Sequence, residues 1–171
     1  MSEFSRFYNA APLPAGEQLL EADEAERAAL AERFGLVAIS ALTARITLEP
    51  DAENVRAIGR LVAQVLQSCA VSGEDLPVQI DEPIALTFVR AFNLPSTDHE
   101  VELSAEELDQ IEMDGTRFDL GEAVAQSLAL AIDPYLIGPG ADEARQRAGI
   151  ASEGENGAFA ALKGLFSSGK S

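Results

Sequence analysis

Between Leu42 and Phe88 the chain alternates apolar and polar residues with few breaks. Leu42, Ala44, Ile46 and Leu48 interleave with Thr43, Arg45, Thr47 and Glu49, a period of two that predicts a strand with one dry and one wet face. Pro50-Asp51 through Asn54 is turn chemistry. A second strand follows, with Val55, Ala57, Gly59, Leu61, Ala63 and Val65 on one side and Arg56, Arg60 and Gln64 on the other. Gly59 marks a bulge or a close approach within it. After a turn at Ser72–Asp75, Leu76, Val78 and Ile80 begin a third run, Pro83 interrupts it, and Ile84, Leu86 and Phe88 resume it. The short connections argue for an antiparallel meander and against βαβ units.

Helical periodicity flanks this block. Asp23 and Glu26 have the spacing of a capping box, Ala25, Ala29, Leu30 and Phe34 form a narrow apolar stripe, and Gly35 supplies a stop. Asp119 and Glu122 repeat the box before a second helix, whose face carries Leu120, Val124, Leu128 and Ala131. Leu130 and Ile132 widen that face, so burial over more than half of its circumference is expected. Asp133-Pro134 ends it. Residues 1–22 read as an extended lead-in able to pair at a sheet edge.

Between these blocks, residues 93–117 crowd twelve Asp, Glu, Asn, Pro and Ser positions around one basic residue, Arg117. Ser104 and Glu107 fit the start of a helical turn, while Asp114-Gly115 fits a tight hairpin between Gln110–Met113 and Thr116–Phe118; the hairpin or a short strand is preferred. The fold class is therefore α+β, an antiparallel β-sheet or partly closed barrel packed by a few α-helices. It divides into one domain over residues 1–136, a mobile Gly- and Glu-rich linker over 137–157, and a short amphipathic segment and tail over 158–171.

Charge changes the picture most. The 171 residues hold 29 acidic and 12 basic side chains, a net charge of −17, with only two lysines, Lys163 and Lys170. Such a field repels phosphate backbones and favours basic partners. The acidic set Glu106, Glu107, Asp109 and Glu112 is thus read either as a solvated face or as a docking surface for a basic protein. Phe159 and Leu162 cover either their own core or that partner. Arg45, Arg56 and Arg60 share the wet faces of adjacent strands; they form a small patch for direct RNA contact or pair with nearby carboxylates.

Candidate chemistry is thin. Cys69 and Ser72 hold the spacing of a Cys-x-x-Cys pair without its second thiol, and one thiol with one imidazole, His99, does not close a zinc site. Cys69 reads as a small core-facing residue and His99 as a solvated side chain. Gly138-Pro139-Gly140 lacks the Lys and Ser/Thr of a phosphate loop, and the acidic run lacks EF-hand spacing. No catalytic residue, cofactor or metal is assigned. One cysteine, no signal-peptide core and no apolar run of about 20 residues lead to the expectation of a cytoplasmic protein.

Taken together these pieces resemble the YceD-type family of large ribosomal RNA subunit accumulation proteins, in its alphaproteobacterial form. The likeness runs through Asp23–Arg27 and Phe34-Gly35-Leu36, the two long strands, Cys69-Ala70-Val71-Ser72 and Asp81-Glu82-Pro83-Ile84. It continues through the acidic segment, Phe118-Asp119-Leu120-Gly121-Glu122, Asp133-Pro134-Tyr135, and Asn156 with Phe159–Leu162. The Asp-Leu-Gly helix after an acidic stretch is its most specific part. This chain departs from the family at Ser72, where many members carry the second Cys, and at Gly157-Ala158, where Asn-Pro-Phe is usual. The resemblance implies a non-enzymatic role in accumulating large-subunit (23S) ribosomal RNA. With the charge, it leads to the expectation of a basic ribosomal protein or assembly factor as partner, with ribosomal RNA contact indirect or weak, and no membrane.

Overall fold

A computed structural model of the chain describes residues 3–90 and 110–149. The chain divides into two compact units, Met1–Gln67 with Pro77–Asp133, and Ser68–Leu76 with Pro134–Ser171. Among the described residues seven strands and three helices are formed: β1 (Phe7–Asn9), β2 (Glu17–Glu21), α1 (Glu24–Phe34), β3 (Ala38–Asp51), β4 (Asn54–Ser68), β5 (Asp75–Arg90), β6 (Gln110–Met113), β7 (Arg117–Asp119), α2 (Leu120–Ala131) and α3 (Ala141–Arg147). The architecture is α+β. One sheet runs in the order β2-β3-β4-β5-β6 and a second pairs β1 with β7. The larger sheet ends on β2 and β6 and does not close into a barrel.

The expected alternation is realised on β3 and β4, where Leu42, Ala44, Ile46, Leu48, Val55, Ala57, Leu61, Ala63 and Val65 are all buried. β3 starts four residues before the predicted Leu42, because a register shift between Ile39 and Ala41 breaks the period that a sequence reading follows. β5 is continuous through Pro83: burial lapses at Asp81–Pro83 while the backbone stays extended, so the interruption is one of packing. The meander is antiparallel from β2 to β4, but β6 lies parallel to β5. Residues 91–109 supply the long connection that a parallel return requires. Near the expected hairpin Asp114 bridges Arg117, yet its two arms join different sheets, β6 with β5 and β7 with β1.

The α1 capping box forms in full, with Asp23 Oδ1 accepting from the Glu26 N–H at 2.8 Å and Glu26 Oε2 accepting from the Asp23 N–H at 2.9 Å. Gly35 adopts φ 66°, the left-handed stop. The buried face of α1 is Leu30 and Ala31, where it packs on β3; Ala25, assigned to the stripe, is exposed in the first turn.

The start of α2 is bound closely to the segment Phe4–Arg6. Asp119 Oδ1 accepts from the Glu122 N–H at 3.1 Å and also from the N–H of Arg6, 2.7 Å away. The Leu120 N–H donates to the Arg6 carbonyl at 2.9 Å. A Cβ on Gly121 would run into the Phe4 carbonyl oxygen, so only glycine lets the segment Phe4–Arg6 cross here. Leu120, Val124 and Leu128 are fully buried beneath, each stabilising by roughly 1.5–3 kcal/mol. The Glu122 carboxylate, expected to turn back to the cap, is engaged by Arg33 at 2.7 and 3.0 Å. Leu130, expected to be buried, is 89% exposed: it falls beyond the buried arc, in the last turn. Phe4, Phe88 and Phe118 complete this core, the last two stacked at 4.3 Å.

In the second unit, α3 forms inside the span read from composition as a linker. Phe159, Leu162 and the 158–171 segment lie outside the described residues.

Candidate functional site

The period-two pattern that buries one face of β3 and β4 leaves the opposite face open, and the chemistry lies there. Arg45 stands directly opposite Arg60 in the β3–β4 register. Two guanidinium groups so placed repel one another unless each is compensated. Arg45 Nη1 reaches Glu17 Oε2 of β2 at 3.2 Å, and Arg60 Nε reaches Asp81 Oδ1 of β5. The result is a carboxylate–guanidinium–guanidinium–carboxylate row across four strands. The Asp81 hydrogen bond holds the Arg60 guanidinium further toward its charged form. Arg56 Nη2 is taken by Asp51 Oδ2 at 2.9 Å. All six side chains are exposed or half-exposed, so these pairs tune the surface charge more than the stability.

Gly59 explains how the strands come so close. A Cβ there would collide with the Arg45 carbonyl oxygen. Exposed apolar positions are set among the charges, with Leu19 58% exposed on β2 and Ile58 43% exposed on β4. Leu19 lies opposite Arg45 in the β2–β3 register. Single apolar residues among charges are ordinary on an exposed sheet face.

Of the acidic set, the structure positions Glu112, exposed on β6 with Val89 of β5 as its register partner. Glu106, Glu107, Asp109 and His99 lie outside the described residues. The three arginines Arg45, Arg56 and Arg60 are brought onto one face, each with a carboxylate partner. Those partners, Glu17, Asp51 and Asp81, and the apolar Leu19 were missed by the sequence reading. The alternation Glu17-x-Leu19-x-Glu21 was the available signal for β2, a strand with two acidic side chains pointing the same way.

Cys69, at the end of β4, is buried as expected. Its Sγ accepts from the Gly138 and Ser72 N–H groups at 3.3 Å and from the Val71 N–H at 3.4 Å. These donors, Gly138 first and then Ser72 and Val71, pull the thiol down to about 6. Among the described residues no three His, Cys, Asp or Glu side chains gather as a metal-binding group, and no helix is long and apolar enough to cross a membrane.

Residues 58–166, more than half of the chain, match the family model described as large ribosomal RNA subunit accumulation protein YceD. The chain belongs to the YceD family. No curated protein and no solved structure matches it. The YceD match takes in Arg60, Cys69, Asp81, Glu112 and the Asp119–Glu122 junction, whereas Glu17, Arg45 and Arg56 precede it. The segment Phe4–Arg6, which makes glycine obligatory at 121, also precedes it.

Proposed function

We propose that this YceD-family chain serves the accumulation of the large ribosomal RNA subunit as a non-enzymatic cytoplasmic assembly factor, by engaging a basic ribosomal protein or assembly factor through acidic side chains. The observation that carries this reading is the state of its arginines. Arg45, Arg56 and Arg60 are already committed to Glu17, Asp51 and Asp81, as Arg6 and Arg33 are to Glu26, Glu3 and Glu122. With a net charge of −17, these five arginines are paired within a surplus field that is already negative. A basic protein is drawn to such a field; a phosphate backbone is repelled by it. Glu106, Glu107, Asp109 and Glu112 are the acidic positions assigned to this contact, with Phe159 and Leu162 as its apolar complement.

One observation favours a second reading, direct RNA contact. Arg45 and Arg60 face each other across β3 and β4, so an incoming phosphate would meet two guanidinium groups at once if Glu17 and Asp81 swung away. The two readings separate by charge reversal. Binding of the full chain to a basic partner should weaken with salt and be lost when Glu106, Glu107, Asp109 and Glu112 become Lys. An RNA gel shift abolished by Arg45→Glu, Arg56→Glu and Arg60→Glu, and indifferent to the acidic changes, would establish the second reading in its place.

A further inference from the structure

A second acidic surface lies along β2, at the opposite edge of the five-stranded sheet from β6 and Glu112. Among the described residues β2 has a strand on one side only, β3. The register pairs Gln18 with Ile46 and Leu20 with Ala44, and continues to Ala22, whose N–H donates to the Leu42 carbonyl at 3.1 Å. Antiparallel pairs alternate between hydrogen-bonded and non-bonded positions. Gln18, Leu20 and Ala22 therefore direct their backbone groups to β3, while Glu17, Leu19 and Glu21 direct theirs outward. Arg6 confirms this phase independently: its Nη2 donates to the Glu21 carbonyl at 3.1 Å, from the side away from β3. Arg6 is itself held by Glu26 at 2.6 and 2.9 Å, so it closes the far end of the edge and leaves Glu17–Leu20 open.

The side chains of the outward-bonding residues also share a face. Glu17, Leu19 and Glu21 are all exposed on the open side of the sheet, in an acidic–apolar–acidic row. An antiparallel second copy of β2 would set Glu against Glu, which disfavours self-pairing. Nucleic acid offers no ladder of amides and carbonyls and is repelled by the row.

We infer that β2 accepts an extended, basic protein segment as an added strand, with Lys or Arg at alternate positions opposite Glu17 and Glu21 and an apolar residue between them opposite Leu19. Main-chain bonds to Glu17 and Leu19 hold the segment, and the alternating side chains select it. This rests on the acidic-docking reading and adds to it a second place of contact, in one conformation, on the edge of the sheet opposite β6 and Glu112.

The test uses the full chain and a nine-residue synthetic peptide with Lys, Val and Lys at alternate positions in a threonine background. A control peptide of the same composition has its lysines adjacent. Titration at low salt and amide hydrogen exchange are read together. The expected result is slowed exchange at the Leu19 amide with the alternating peptide, and binding at least tenfold tighter than the control. Leu19→Pro takes away an outward N–H that β3 does not use, and Leu19→Lys places in the acidic row a positive charge that repels the peptide's lysines while leaving the backbone intact. Each should weaken the alternating peptide tenfold or more. Should peptide bind with exchange at Leu19 unchanged, or bind both variants as tightly as the parent, the β2 seat is wrong and acidic docking elsewhere survives. Failure of the peptide to bind also overturns the seat. The acidic-docking reading is decided separately, by the response of a whole basic partner to charge reversal at Glu106, Glu107, Asp109 and Glu112.

Discussion

The start of α2 and the open face of the β-sheet use the same residue types to opposite ends. At α2, Asp119 accepts two backbone N–H groups, Glu122 is clasped by Arg33, and Gly121 lies against the Phe4 backbone. Asp119 and Gly121 are fixed by backbone groups, and Glu122 is held by both Nη atoms of Arg33. On the open face, Glu17, Arg45, Arg60 and Asp81 are ion-paired in water, where long side chains exchange partners at little cost. The first region fixes the fold; the second stays exposed to solvent, as the proposed docking requires. An acidic residue in this chain is structural or free according to whether backbone amides and packed neighbours enclose it.

Stability measurements can break that comparison. Gly121→Ala should have the largest effect, a loss of about 3 kcal/mol in chemical denaturation, because the new Cβ must displace the Phe4 backbone. Asp119→Ala should cost about 2 kcal/mol, since it orphans the Arg6 and Glu122 N–H groups together. Glu26→Gln should cost about 1 kcal/mol near neutral pH. The Arg6 hydrogen bond, ahead of the Asp23 N–H, holds the Glu26 carboxyl below its ordinary value. That contribution is present above the unfolded carboxyl range of about 4.3 and is lost as pH falls through the lower folded value. The gap between parent and Glu26→Gln should therefore narrow below about pH 4 in a pH series of denaturation curves. Arg45→Glu and Arg60→Glu should change stability least, by about 0.5 kcal/mol or less, as exposed pairs do. A large loss at Arg60 with a small one at Gly121 would invert the account.

The sequence made legible whatever follows a regular period or a local rule. The dry faces of β3 and β4, the Asp23 capping box and the Gly35 stop all follow from spacing alone. Departures arose where a distant segment decides. The bulge at Ile39–Ala41 shifts the phase of β3, and the parallel return of β6 depends on the length of residues 91–109. The exposure of Leu130 depends on which arc of α2 the rest of the chain covers, and the buried arc ends at Leu128. The Asp-Leu-Gly sequence was recognisable as a signature, but its physical cause, the crossing of Phe4–Arg6, is more than a hundred residues away. On the open face the three arginines were visible and their individual partners were not, because Glu17, Asp51 and Asp81 each come from a different strand than the arginine they pair with.

The most direct test of the central claim is a paired titration of the full chain against an isolated basic large-subunit protein and against naked large-subunit ribosomal RNA, over a salt series. The account predicts salt-sensitive binding to the protein, lost on changing Glu106, Glu107, Asp109 and Glu112 to Lys, with no measurable binding to the RNA. Tight RNA binding that survives those four changes and disappears with Arg45→Glu and Arg60→Glu would contradict it.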